Sequence, residues 1–598
     1  MVRIRLLGPP AIEVDGARRS PRGRKAWALL AYLLLAERPP SRKHLADLLF
    51  SDADDPLGAL RWTLAELRRA LGAKEGLGGD PVSLSFGADV EVDVTVLATG
   101  FGDPAPLLGL TGDLLEGVNL ANSPEFESWL LVERHRVSAR LEARLREAAH
   151  GLLAVGRAGD AVAYASAAVA SNPLEEGNHE LLVRSLAMSG DPAAARRQIA
   201  ACEDLLRREL GTGTTLALRD AANVGQDSAM VLPLSGLAAA ESQLEAGRAA
   251  IAAGAVDAGL QCLRQAVGEA NRGHDAALKG RALAALGSAL VHAARGRDEE
   301  GAVVLREAIE LAEHAGDRPT AVTAHRELGF IELQAGRRVT ADAWLVRADA
   351  LAETDDERAS VLAYRGMNAS DRADYPTAFD FLRDSVEHAA RAGSARQQAW
   401  SLSVVGRAHL LRGERSQAAA ALNRSLELVL EQRWLAFLPW PQSLLADLEL
   451  VAGETDAAAD RLERAWALAC QIGDPCWEGM AGRGLGLLHA GRGDHAAAMG
   501  WLGEAATRCV RVSDRYQWVH AHVLDAMITT ALDHDEPERA RPLVATLGAL
   551  AARCDLRELV VRSHLHRARL GDQTALPAAR LLGADIDNPA LTDLMRAA

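Results

Sequence analysis

The sequence predicts a mainly α-helical protein with a small mixed head: an N-terminal winged helix-turn-helix of α+β type, followed by a right-handed α-helical solenoid. Three observations carry this. Apolar residues alternate with period two at both ends of the first hundred residues, and three helical patterns follow one another closely between them. From Gly254 to Gly493, turns marked by glycine recur at intervals of about forty residues. A chain of 598 residues is too long for one core, so a head and an array also suit its length.

Val2, Ile4 and Leu6 alternate with Arg3 and Arg5, and Ile12 and Val14 precede an Asp15-Gly16 turn, which predicts a short antiparallel strand pair. Arg24 to Ala36 reads as a helix stopped by Pro39-Pro40. Ser41 is placed to cap a second helix, Arg42 to Phe50, and Pro56 to open a third. In the third, Leu57, Leu60, Leu64, Leu67 and Leu71 recur every three or four residues and define a buried face. The opposite face carries Gly58, Ala59, Trp62, Ala65, Glu66 and Arg69, flanked by Arg61 and Arg68. Val82, Leu84 and Phe86, a Gly87-Ala88-Asp89 turn, and Val90, Val92, Val94 and Val96 then predict a hairpin, the wing.

The formal charge is −15, yet Met1 to Lys74 hold 14 basic and 8 acidic residues, a net of +6 that leaves about −21 for the rest. A helix fits the major groove of double-stranded DNA while cations neutralise phosphates and release counterions. Arg18, Arg19, Arg22, Arg24, Lys25, Arg42 and Lys43 are the candidates for backbone contact, each of them otherwise an ordinary solvated charge. Arg61, Trp62, Glu66, Arg68 and Arg69 are the candidates on the third helix. Trp62 either stacks at the DNA or packs; Glu66 either accepts from a cytosine amino group or pairs with Arg69.

A long helix follows Ser123-Pro124 and ends near Gly156. Gly156 and Gly190 lie 34 residues apart, with Ala161 and Ala195 each five residues later, which is tetratricopeptide spacing. Four segments carry a more specific signal: LRRALG (Leu67 to Gly72), PEFESWLL (Pro124 to Leu131), NPLEEGNHELLVRSLAMSG (Asn172 to Gly190) and LLRRELG (Leu205 to Gly211). In this order they resemble the Streptomyces antibiotic regulatory proteins, which couple a winged helix of response-regulator (OmpR/PhoB) type to a bacterial transcriptional activator domain. The resemblance covers about the first 225 residues. It implies promoter binding and recruitment of RNA polymerase. By the same resemblance Gly58 to Arg69 would read bases, and the acidic turn with Asp52, Asp54 and Asp55 would lie near polymerase. This chain departs from the pattern at Leu57-Gly58-Ala59 and at Glu66, and Ile199 stands where an aromatic is usual.

Beyond Leu237 the turns at Gly254, Gly296, Gly336, Gly413, Gly453 and Gly493 are spaced 42, 40, 77, 40 and 40 residues apart. The long interval hides one unit, marked by Ala373-Asp374. Gly259, Gly301, Ala341, Ala378, Ala418, Ala458 and Ala498 each follow a turn by five residues, and Ala540 extends the series. This predicts a tetratricopeptide-type solenoid. The expected division is a winged helix over 1–97, an activator domain over 98–225, a linker over 226–236 and the array over 237–598. Trp434, Phe437, Trp440 and Trp477 either pack between repeats or line a groove for a protein or small-molecule effector.

Enzyme chemistry is not expected. The sequence has no Gly-Lys dipeptide and hence no Walker A loop, and it lacks HExxH, GxSxG and cysteine-rich zinc spacing. His520/His522 and His564/His566 are spaced i, i+2, which puts each pair on different helix faces, so no metal and no cofactor is expected. Six scattered cysteines read as reduced core thiols. With no long apolar run and no signal-peptide pattern at MVRIRLLGPP, the expectation is a cytoplasmic protein without a membrane partner. The expected partners are promoter DNA, RNA polymerase, an effector in the repeat groove and a second copy in a homodimer. The alternative is a repeat scaffold whose winged helix no longer binds DNA.

Overall fold

In the computed structural model, residues 2–36, 38–72, 76–85, 90–97, 104–120, 122–211, 213–222, 236–294, 296–512 and 514–598 are described. They form two compact units, one of Met1–Leu153, Arg157–Thr214 and Leu218–Ser228, the other chiefly Ala229–Ala598.

The first unit opens with β1 (Val2–Arg5), β2 (Ala11–Val14) and β3 (Ala17–Arg19). Asp15 and Gly16 both take positive φ, 50° and 80°, the conformation a tight two-residue hairpin demands, so the turn joins β2 to β3. Helices α1 (Arg24–Leu35), α2 (Arg42–Phe50) and α3 (Pro56–Leu71) then pack their leucines beneath the sheet. The Ser41 hydroxyl accepts from the His44 amide and the Asp55 carboxylate from the Gly58 amide, which satisfies orphan donors at the starts of α2 and α3.

The wing differs from expectation. A short ladder pairs β4 (Leu77–Gly78) with β5 (Ser83–Leu84), whereas β6 (Val90–Val92) runs parallel to β1 and completes a sheet of order β3-β2-β1-β6. The chain then turns into the short α4 (Asp93–Val96) instead of continuing as a strand to Val96. Burial decides this. Val92 and Val94 enter the core, and the Asp93 carboxylate accepts from the Leu6 and Leu7 amides, ending the strand there. Phe86 and the expected Gly87–Asp89 turn lie outside the described residues, as do 226–235 of the expected linker.

The rest of this unit comprises α5 (Pro124–Ala154), α6 (Ala158–Ser171), α7 (Glu176–Met188), α8 (Pro192–Glu209) and α9 (Leu216–Asp220). One hydrophobic cluster runs from Ile4 through α1–α3 and Leu97 to Leu107 and α7, so the described residues before and after the boundary that the sequence suggests share one core. Ring contact of Tyr32 with Trp129 and the hydrogen bond from the Leu115 amide to the Leu6 carbonyl tie the two halves together. The NPLEEGNHE motif has a structural reason. Asn178, fully buried, donates to Glu142 Oε1 and the Ala168 carbonyl and accepts from Arg146, clamping α5, α6 and α7. Ala161 and Ala195, placed by the 34-residue spacing, are buried in the helix contacts.

The second unit is a stack of helical hairpins from Leu237 to Ala597. Gly254, Gly296, Gly336, Gly413, Gly453 and Gly493 occupy the left-handed region at the turns, and Ala373 adopts it too, with φ 62°, where the hidden repeat was expected. Ala341, Ala378, Ala418, Ala458, Ala498 and Ala540 are all fully buried. The array also turns back on itself. The Asp514 carboxylate accepts from the Gly296 and Arg297 amides, Arg372 pairs with Asp555 at 2.8 Å, and the Tyr375 hydroxyl donates to Glu558. At the centre, buried Asp371 binds Arg338 at 2.9 Å, Arg407 at 2.7 Å and the Tyr516 hydroxyl at 2.8 Å.

Candidate nucleic-acid interface

α3 is held by Leu60, Thr63, Leu64, Leu67, Ala70 and Leu71, and turns Leu57, Arg61, Trp62, Ala65 and Arg69 to solvent. Trp62 is 54% exposed, so it is not a packing residue in this unit. Leu57, expected on the buried face, is 48% exposed because it sits on the first turn, ahead of the core. Glu66 is the other correction. Expected on the outer face, it is only 4% exposed, with its carboxylate bound to Arg69 beside it. It therefore positions Arg69 and stands back from the surface a base would reach. Arg68 is likewise turned inward: its Nε donates to the Leu77 carbonyl at 2.8 Å and fixes β4 against α3.

The remaining cations divide into two groups. Lys25 is bound by Asp52 and lies over the Phe50 ring, and Arg42 donates to the Gly79 carbonyl, so both are occupied in holding the unit together. Arg18 and Arg19 on β3, Arg22 and Arg24 at the start of α1, and Lys43 on α2 are exposed and make no ion pair among the described residues. Arg61 lies 3.5 Å from Asp55. In the acidic turn, the Lys25 ammonium holds the Asp52 carboxyl below its ordinary range, and Asn122 donates to it as well. Asp55 caps α3, while Asp54 is exposed. Trp62 and Arg69, which the sequence puts on the outer face of α3, and Arg61, which it puts at the flank, are all exposed. Sequence reasoning missed that Lys25, Arg42 and Arg68 would be engaged internally, since their partners are 27, 37 and 9 residues away.

The helices that follow α4 in the same unit carry a family match. Residues 108–223 match the bacterial transcriptional activator domain. The activator domain thus contains all of α5–α9, and its core is continuous with the N-terminal sheet and α1–α3, in accord with the resemblance carried by the four motifs. No curated protein matches the chain. Among solved structures, Mycobacterium tuberculosis EmbR in complex with a low affinity phosphopeptide is similar at 19% identity and a TM-score of 0.29, over 37% of this chain and 64% of that one. The chain thus spans less than two thirds of the EmbR structure. A Rap protein complexed with competence and sporulation factor is similar at 13% identity and a TM-score of 0.40, over 60% of this chain and 92% of that one. Yeast Tom70 is similar at 12% identity and a TM-score of 0.31, over 80% and 95%.

Proposed function

We propose that this chain is a transcriptional regulator that binds double-stranded promoter DNA through α3 and the cations around it, and that its activator domain and repeats serve RNA polymerase contact, self-association or effector sensing. The observation that carries the reading is the exposed Arg61, Trp62 and Arg69 stripe on the third helix of a winged-helix unit whose core is shared with a bacterial transcriptional activator domain. Trp62 offers an apolar, stackable surface to the groove, and Arg61 and Arg69 offer planar donors for guanine or phosphate. Arg18, Arg19, Arg22, Arg24 and Lys43 supply sequence-independent attraction. In the acidic turn, Asp54 is the residue we assign to polymerase contact, because Asp52 and Asp55 already bind within the unit. No catalytic activity is part of this reading.

The test is binding of the full chain to duplex DNA from upstream of its own gene, against a scrambled duplex, over a salt series. With about five phosphates neutralised, log K is expected to fall against log salt with a slope of about −4 to −5. Arg69→Ala should weaken the specific complex by about tenfold or more, the cost of about 1–3 kcal/mol for a lost bidentate contact. A repeat scaffold with a silent winged helix is the second reading, favoured by the carboxylates that neutralise Lys25, Arg61 and Arg69. It predicts no salt-dependent binding to either duplex.

A further inference from the structure

The inner face of the repeat array holds a cavity of about 450 Å³ bounded by the helices Arg318–Gln334, Asp355–Asp371 and Ala395–Leu411 and by the segment around Trp434 and Trp440. That volume lies within the roughly 300–1,000 Å³ typical of small-molecule sites. Its wall carries two groups of touching rings. Phe330 stacks on Tyr364 with centroids 4.6 Å apart, Tyr364 meets the edge of Trp400 at 5.2 Å, and Trp434 stacks on Phe437 at 4.5 Å. Trp477 joins Trp440 at 5.2 Å, with its indole N–H committed to the Ala436 carbonyl. The Tyr364 hydroxyl and the Trp400 indole N–H, by contrast, have no hydrogen-bond partner among the described residues.

Charge narrows the occupant. Arg326 is compensated by Glu327, whose carboxyl burial would raise but which Arg326 and His292 hold down at about 2, so the pair stays ionised and neutral overall. Arg396, over the Trp434 ring, lines the cavity as a donor with no ion pair among the described residues, and the exposed Asp356 carboxylate lines it too. Tyr516, fixed by its bonds to Asp371 and Arg407, also lines the cavity and joins it to the buried network. A larger cavity of about 690 Å³ shares His292 with it, but that one is lined by small aliphatic and polar side chains and contains no Phe, Tyr or Trp. Chemistry, more than volume, therefore selects the aromatic cavity.

We infer that this cavity binds a planar, fused-ring aromatic small molecule bearing carbonyl or carboxylate acceptors, with its rings against Trp400 and Tyr364 and its acid group toward Arg396. The inference deepens the effector-sensing part of the reading above and does not depend on DNA binding, because it is tested on the full chain without DNA. The probe is anthraquinone-2-carboxylate, titrated calorimetrically beside dodecanoate, which carries the same charge without rings. Saturable binding at one site per chain is expected, at least about tenfold tighter than dodecanoate, since each aromatic contact adds about 0.5–1.5 kcal/mol beyond burial. Tyr364→Phe, which only removes the hydroxyl, and Arg396→Ala, at an exposed position, should each weaken binding by about three- to tenfold while leaving the circular dichroism spectrum unchanged. Trp400→Ala should weaken it by at least about tenfold. Absence of saturable binding up to about 1 mM, equal affinity for dodecanoate, or indifference to Tyr364→Phe and Arg396→Ala would each overturn the assignment.

Discussion

At the entry to α3, the Asp55 carboxylate accepts a hydrogen bond of 2.8 Å from the Gly58 amide and sits 3.5 Å from the Arg61 guanidinium. The two contacts differ in kind. The first satisfies a donor the helix would otherwise leave unpaired; the second joins two largely exposed groups and contributes little to stability. Asp55→Ala is therefore expected to cost about 1 kcal/mol, read as a lower urea midpoint, whereas Asp55→Asn should cost less than about 0.5 kcal/mol because asparagine caps equally well. The same Asp55→Asn change frees Arg61 from a neighbouring negative charge. If α3 meets DNA as proposed, the variant binds more tightly at low salt; an equal stability loss in both variants would show that charge, and not capping, is what Asp55 supplies. Ser41 and the Asp15-Gly16 turn were legible in the sequence because each acts within three or four residues of itself. Glu66 was not, since whether it faces solvent depends on where the sheet and the rest of the unit lie against α3.

Within the array, several hairpins are fastened by a knob that the turn spacing by itself does not reveal. A glycine on the first helix receives a leucine from the second: a Cβ built on Gly329, Gly366, Gly406 or Gly486 would lie 2.5–2.6 Å from Leu345, Leu382, Leu422 or Leu502. Leu263, Leu305, Leu345, Leu382, Leu422, Leu462 and Leu502 all fall nine residues after their turn, a signal present in the sequence alongside the small residue at five. Gly366→Val would press against Leu382 and approach the Ala378 carbonyl, and overpacking of this kind costs about 1–3 kcal/mol. Gly500, exposed on the helix His495–Cys509 with nothing within 4 Å of a new Cβ, is the contrast. There Ala gains about 1 kcal/mol of helix propensity. Thermal melts should therefore move down for Gly366→Val and up for Gly500→Ala; the same direction for both would refute the knob.

Across the whole repeat unit, stability is expected to depend on pH through histidines enclosed by the array. Burial, reinforced by nearby Arg515, pushes the His520 imidazole down to about 4, and burial with Arg483 pushes His522, stacked on Trp518, well below its ordinary value in the same direction. A histidine held neutral in the folded state binds fewer protons than its unfolded counterpart between its two pKa values. Its contribution is therefore complete above about pH 6.5 and is lost as the pH falls toward 4. The melting temperature of the array should accordingly drop between pH 7.5 and pH 5, and His520→Gln combined with His522→Gln should flatten that slope. A melting temperature constant over this range would exclude the coupling.

The sequence by itself determined the helix boundaries of the head, the turns of the repeats and even the unit hidden at Ala373, because each depends on local backbone geometry and on small residues at short, regular spacing. It also carried the exposed face of α3, which follows from a period of 3.6. Tertiary structure alone decided that β6 would join β1, that Lys25, Arg42 and Arg68 would be engaged inside the unit, and that Asp514 would reach Gly296. The cavity lined by Phe330, Tyr364, Trp400 and Trp434 belongs to that second class. Its rings come from separate repeats, and only the rotation accumulated from one hairpin to the next brings them to one wall.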